Sequence, residues 1–268
     1  MTGSWGALGR LSPQRRRFWV AVVGLALVVV LVPVTRAVVA RVRPAEPVAQ
    51  DEPGPVLLVP GYGGSTASLE SLELVLTRDG RDVTIVTPDD GTGDLREQAE
   101  GLAASIDDVL ERSGADSVDL VGYSAGGVVV RWYVSELGGD DVVRRVVTLG
   151  SPHHGTDLAA LAAGVAGGAC PVACRQLAPD SDLLLTLDRG DETPDGPAYT
   201  AIWTEDDQTV VPADSGSLEG ALSYAVQDVC PDLTVSHSDL PRAGVVLVMV
   251  QAALGVGPPR VPGARVCG

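Results

Sequence analysis

Short apolar runs alternate with stretches of helical period along most of this chain. Val56-Leu57-Leu58-Val59 is continuously apolar and stops at Pro60-Gly61-Tyr62-Gly63-Gly64, the pattern of a strand buried on both faces. Leu69, Leu72, Val75 and Leu76 then recur at helical spacing up to Gly80. Val83–Thr87 is β-branched and predicts a second strand, closed by Pro88. Asp94 is placed to cap a helix reaching about Arg112, with Ala99, Leu102, Ala103, Ile106 and Leu110 on one face. Val118–Val121 predicts a third strand ended by Gly122, and Ala125 to about Leu137 a helix ended by Gly138-Gly139. Val142–Leu149 and Ala198–Thr204 predict the fourth and fifth strands, Leu233–Ser236 a short sixth, and residues 243–254 a closing apolar helix. Residues 153–197 are less regular, with Leu158–Gly168 and Leu183–Leu187 reading as short helices among loop. Helices between successive strands imply parallel pairing through right-handed crossovers, hence one three-layer α/β domain over 56–268.

The amino-terminal stretch breaks this rhythm. Arg15, Arg16 and Arg17 precede an uncharged apolar run of 17 residues, Phe18–Val34. Such a helix is about 25 Å long, just short of a bilayer's hydrocarbon core and longer than the usual apolar region of a signal peptide. Arg15-Arg16-Arg17-Phe18 also loosely matches a twin-Arg export signal. Residues 1–43 are therefore expected to form an N-terminal hydrophobic helix, either a signal peptide or a transmembrane anchor. Residues 44–55, with four Pro, make a semi-extended linker. Either way the main domain is expected outside the cytoplasm, membrane-anchored or secreted.

Composition sharpens the picture. With 45% hydrophobic residues the chain is not a disordered polymer. All 19 basic residues are Arg, and seven of them lie in residues 1–44, which contain no Asp or Glu. The rest carries 12 Arg against 35 acidic residues. That surface repels nucleic acid and anionic headgroups, so nucleic-acid binding by the usual electrostatic route is excluded. Membrane partnership is expected only through the N-terminal segment, if it is retained. Cys170, Cys174, Cys230 and Cys267 form an even set. The short loop from Cys170 to Cys174 around Pro171 suggests one disulfide, leaving Cys230 for Cys267. A single C-x₃-C pair with every His elsewhere is a poor zinc site, so no metal and no cofactor are expected.

The candidate chemistry sits where strands end. Gly122-Tyr123-Ser124-Ala125-Gly126 is a G-x-S-x-G motif directly after a strand and opening a helix, a setting that pushes a Ser hydroxyl out at the sheet's carboxyl edge. A Ser needs a base to accept its proton. Of the three His residues, His153 and His154 follow the fourth strand, and only His237 leaves room for an intervening strand and acid. The acid belongs just past the fifth strand, where Glu205, Asp206 and Asp207 crowd together. Spacing alone leaves Asp206 and Asp207 nearly tied. Backbone N–H donors for a developing oxyanion are expected from Ala125 and from the Gly61–Gly64 loop, with Tyr62 the preferred residue. A phosphate-binding reading of that loop fails for want of G-K-[ST] and of any Lys.

At these residues the chain resembles the α/β-hydrolase lipases, especially small bacterial triacylglycerol lipases and esterases. The matching stretches are VLLVPGYGG at 56–64, VDLVGYSAGG at 118–127, VVTLGSPHHGT at 146–156, YTAIWTEDDQTVVP at 199–212 and VSHSDL at 235–240. The resemblance implies an α/β-hydrolase fold with Ser124 as nucleophile, Asp207 as acid and His237 as base, with Tyr62 and Ala125 forming the oxyanion hole. It favours Asp207 over Asp206 because the family's acid stands just before a D-x-x-V-V-P-like stretch, and it makes His153 structural. Pro60 replaces the His that many relatives carry before the oxyanion Gly. The sheet looks trimmed, beginning at the family's third strand, and 153–197 is too short for a large interfacial lid. The implied activity is hydrolysis of acyl esters or acylglycerols through an acyl-serine intermediate, on soluble or partly dispersed substrates. The alternatives are acyl transfer to lipid or cell-envelope alcohols, and a non-catalytic surface-anchored binding protein on a hydrolase scaffold.

Overall fold

The structure, a computed structural model, describes residues 48–165 and 170–267 together with the isolated positions Gln14 and Val22. The segment read as a signal peptide or anchor lies outside the described residues. Among the described residues, no helix is long and apolar enough to cross a membrane. The layered fold belongs to the unit Glu46–Gly268.

Six parallel strands form one sheet: β1 (Val56–Val59), β2 (Val83–Ile85), β3 (Val118–Tyr123), β4 (Val143–Leu149), β5 (Ala198–Trp203) and β6 (Leu222–Ala225). They lie in the order β2-β1-β3-β4-β5-β6. Alternation along the strands explains the layers. Leu57, Val59, Leu120 and Val146 face one side, where they meet Leu102 and Ile106 of α2 (Leu95–Ser113) and Val128 and Tyr133 of α3 (Ala125–Glu136). Val56, Leu58, Val121, Val147 and Ile202 face the other, against Leu72 and Leu76 of α1 (Glu70–Arg78) and Met249 and Val250 of α8 (Gly244–Ala253). Both faces are covered, which is why β1 reads as an unbroken apolar run and β3, β4 and β5 stay largely apolar apart from a few buried polar residues. Each fully buried Leu, Val or Ile contributes about 1.5–3 kcal/mol of transfer free energy.

Helix ends follow local chemistry. The Asp94 carboxylate accepts from Arg96 N at 2.8 Å and caps α2, which stops at Gly114 in the left-handed region at φ +67°. Four shorter helices also lie among the described residues: α4 (Asp157–Val165), α5 (Val172–Gln176), α6 (Asp182–Leu187) and α7 (Val226–Val229). α5 has no periodic signal, being a single turn that begins inside the Cys170–Cys174 loop and ends two residues beyond it. Both expected disulfides form, Cys170–Cys174 and Cys230–Cys267, with Cα–Cα distances of 5.6 and 5.7 Å.

The expected sixth strand at Leu233–Ser236 is incorrect. The sixth strand is Leu222–Ala225, which pairs with β5 from Thr200↔Leu222 to Trp203↔Ala225. Residues 233–236 look strand-like in composition, but side chains rather than a ladder satisfy their backbone. Gln227 Nε2 donates to Leu233 O at 3.1 Å, Thr204 Oγ1 donates to Val235 O at 2.7 Å, and Val235 N donates to Asp206 Oδ2 at 3.1 Å.

At the amino edge of the sheet lies a buried ionic cluster. The β3–β4 register shifts between Val118↔Val143 and Asp119↔Arg145, leaving Arg144 as the extra residue of a bulge. Fully buried Arg144 grips fully buried Asp119 in a fork, Nε to Oδ1 at 2.9 Å and Nη2 to Oδ2 at 2.6 Å. Its remaining donors reach Leu254 O and Gly255 O just past α8, and Gln50 O. Arg81 adds a second ion pair to Asp119.

Candidate active site

At the opposite, carboxyl edge, β3 turns sharply into α3 at Ser124. Its φ of 52° and ψ of −125° make it the one non-Gly residue with positive φ among the described residues. Such a backbone is costly for a residue bearing a Cβ and needs surrounding structure to hold it. Here Ser124 N donates to Leu149 O at 2.9 Å, and the glycines on either side permit close approach. A Cβ on Gly122 would lie 2.5 Å from Gly127 Cα, and one on Gly126 would lie 2.3 Å from Val59 O.

Three side chains from distant segments join at this turn. His237 Nε2 lies 3.0 Å from Ser124 Oγ, and His237 Nδ1 lies 2.6 Å from Asp207 Oδ2. All three residues are at most 9% exposed. The other Asp207 oxygen accepts from Thr209 N and Val210 N, both at 2.8 Å, which fixes the carboxylate. With that carboxylate ionised the network assigns the proton to Nδ1, so Nε2 presents a lone pair to the serine hydroxyl. The structure also separates the two neighbouring aspartates. Asp206 Oδ2 accepts from Gln227 Nε2 at 2.9 Å and from Val235 N, so Asp206 secures the loop that carries His237 while Asp207 meets the ring.

Two further supports had no signal in the sequence pattern. Tyr123 Oη donates to His237 O at 3.2 Å, with its ring centroid 5.3 Å from the imidazole. Burial, then the charge of Asp207, pushes the Tyr123 hydroxyl up to about 12, so it remains a donor at neutral pH. Gly150, at φ +54°, sits beneath the His237–Asp207 pair. A Cβ there would lie 2.6 Å from Leu240 Cδ1 and 3.2 Å from the ring Nδ1. The sequence offers only its place in Leu149-Gly150-Ser151 after a strand.

Gly61, Tyr62, Ser65, Ser68, Thr209 and Tyr123 wall a cleft of about 270 Å³ over Ser124 and His237. Tyr62 is 45% exposed at its rim, and Ala125 is the first residue of α3, buried against the sheet. The N–H groups of Tyr62 and Ala125 have no acceptor among the described residues. As a helix N1 donor, Ala125 N–H has none within its own helix either.

The other two histidines lie off this chain of contacts. His153 is fully buried, with Nε2 at 3.0 Å from Thr148 Oγ1. Burial, reinforced by the Arg131 charge, holds its pKa well below the ordinary value of 6.5. The unfolded chain therefore binds this proton more readily than the native protein. Stability contributed by neutral His153 is complete above about pH 6.5 and lost as pH falls below it, by up to about 1.4 kcal/mol per pH unit. Urea titrations from pH 7 to 5 should show this slope in the wild type and a shallower one in His153→Gln. His154 stands 3.8 Å from Asp188 and 3.6 Å from Glu192, a trio of metal-ligand type. The buried Arg131 guanidinium already lies 3.0 and 3.7 Å from the same two carboxylates, a charge that opposes a cation there.

Residues 54–165 match the family model described as alpha/beta hydrolase fold. The mature form of a Bacillus licheniformis lipase superposes with a TM-score of 0.61 at 20% identity, covering 80% of this chain and 96% of that one. Aspergillus fumigatus lipase B superposes at 0.67 with 19% identity, covering 84% of this chain and 59% of that one. The chain has the α/β-hydrolase fold. Over part of its length it is similar to a triacylglycerol lipase of Vibrio cholerae, 33% identical over 116 residues, which are 41% of this chain and 36% of the relative. The matched stretch thus spans about a third of the relative's length.

Proposed function

We propose that this protein is a serine carboxylic ester hydrolase of the lipase/esterase kind. The observation that carries the reading is the unbroken hydrogen-bonded relay from Ser124 Oγ through the His237 imidazole to the Asp207 carboxylate, opening on a cleft. In this reading the Ser124 hydroxyl attacks an ester carbonyl as His237 Nε2 takes its proton. Asp207 holds the ring and stabilises the imidazolium. Negative charge on the carbonyl oxygen is met by the N–H groups of Ala125 and Tyr62. His237 then hands its proton to the departing alcohol, leaving an acyl-Ser124 ester. Water, deprotonated by the same imidazole, attacks that ester and releases the acid.

A lipase-titled relative and lipase-titled fold neighbours support an ester or lipid substrate. Two disulfides suit an oxidising compartment. In that reading residues 1–43 act as leader or anchor, 44–55 as linker and 56–268 as the catalytic domain.

The test is chemical. The folded protein should hydrolyse p-nitrophenyl butyrate and take up one equivalent of a fluorophosphonate probe, mapped by peptide mass spectrometry to Ser124. Folded protein that neither hydrolyses the ester nor reacts with the probe would overturn the reading.

A further inference from the structure

The loop proposed to supply the Tyr62 N–H does not stand on its own. Gly63 and Gly64 both have positive φ, at +87° and +70°, and Gly64 N turns back to Gly61 O at 3.0 Å. The only link holding this turn from outside by a backbone hydrogen bond, among the described residues, is Gly63 N to Gly91 O at 2.9 Å. Gly91 has no room for a side chain. A Cβ there would lie 2.4 Å from Gly63 C and from Gly64 N, so the two backbones are in direct contact. Pro88 presses the same turn, 2.9 Å from where a Gly64 Cβ would be.

The segment carrying Gly91 is anchored in turn. Asp90 Oδ1 accepts from Thr92 N and Thr92 Oγ1 at 2.9 and 2.8 Å, and Gly93 N donates to Asp90 O. Thr92 O accepts from Ala173 N at 3.1 Å, and Ala173 lies inside the Cys170–Cys174 disulfide loop. Gln176, at the end of α5, accepts from Leu95 N at 2.8 Å and donates to Asp94 Oδ1 at 2.7 Å, clamping α5 to the start of α2. A continuous path thus runs from the Cys170–Cys174 loop through Thr92 and Gly91 to the turn beside Ser124. It touches neither His237 nor Asp207.

We propose that Gly91 is a positioning residue for the oxyanion side of the cleft and that the Cys170–Cys174 disulfide braces it. The inference rests on the proposed hydrolase activity. An oxyanion donor is worth about 10²–10³ in kcat when well placed, so a shift of a few tenths of an ångström costs a sizeable part of that. The path leaves the His237–Asp207 hydrogen bond untouched, which separates this role from general loosening of the fold.

The experiment compares full-length wild type, Gly91→Ala and the double variant Cys170→Ser/Cys174→Ser in steady-state hydrolysis of p-nitrophenyl butyrate across pH. Gly91→Ala is expected to lower kcat about tenfold to a hundredfold, with KM within about twofold and the kcat/KM–pH midpoint unmoved. The double variant, in which Cys230–Cys267 remains, is expected to lower kcat several-fold with the same signature. If Gly91→Ala fails to fold, the double variant alone decides. Unchanged kcat, or a loss accompanied by a shifted pH midpoint, overturns the positioning role. An inactive wild type would instead overturn the hydrolase reading itself.

Discussion

Ser124→Ala is expected to lower kcat/KM for p-nitrophenyl butyrate by about 10⁴–10⁶-fold, with the thermal midpoint preserved. Among the described residues the hydroxyl makes one hydrogen bond, to the imidazole, and the Ser124 backbone, not its side chain, is what the sharp turn constrains. His237→Ala should lose a comparable factor, because without an acceptor at Nε2 the hydroxyl attacks as a neutral alcohol. Asp207→Asn should lose roughly 10⁴, since an amide opposite Nδ1 favours the tautomer with its proton on Nε2. The losses should not add: Ser124→Ala/His237→Ala should be no worse than either single variant, as for groups that act in one step. Stopped-assay kinetics on the three singles and the double check this. Retained turnover in Ser124→Ala would remove the nucleophile from the account.

The largest expected effect on stability lies at the other end of the sheet. Asp119→Ala leaves the Arg144 guanidinium fully buried beside Arg81 and Arg145 with no counter-charge. Breaking a buried pair in this way costs about 3–5 kcal/mol, which for a domain of this size lowers the melting midpoint by roughly 10 °C or more. Asp108→Ala should leave the midpoint where it is, because the Asp108–Arg112 pair is solvent-exposed. Scanning calorimetry of both variants, with kcat measured at 25 °C, is the check. Turnover by Asp119→Ala should match wild type, since the cluster and the cleft occupy opposite edges of the sheet.

How far the sequence foretold these features depends on whether each rests on local or distant contacts. β1, β3, β4 and β5 declare themselves because burial on both faces keeps them mostly apolar and β-branched, with few polar interruptions. β6 does not, because Leu222-Ser223-Tyr224-Ala225 is an edge strand with polar positions, while the more strand-like Leu233–Ser236 is claimed by side-chain hydrogen bonds. The turn at Ser124 is legible from its glycines. The choice between Asp206 and Asp207 was not legible from spacing, since both follow β5 at once and only the path of the chain at 235–237 decides which one meets the ring. Gly150, Tyr123 and Gly91 act on segments far away in the chain, so nothing near them in sequence marks their contacts. The Arg144–Asp119 fork was hidden for the same reason: it depends on a bulge that no apolar pattern reports.

His237 hangs from a span whose course is set by three polar groups, Thr204, Asp206 and Gln227, instead of by strand pairing. Insertions or deletions between residues 226 and 234 therefore need not propagate into the order of the β-strands. The imidazole can be re-aimed by rewriting a few polar anchors while the layered core stays as it is, and a designer could shift the ring without rebuilding the scaffold beneath it.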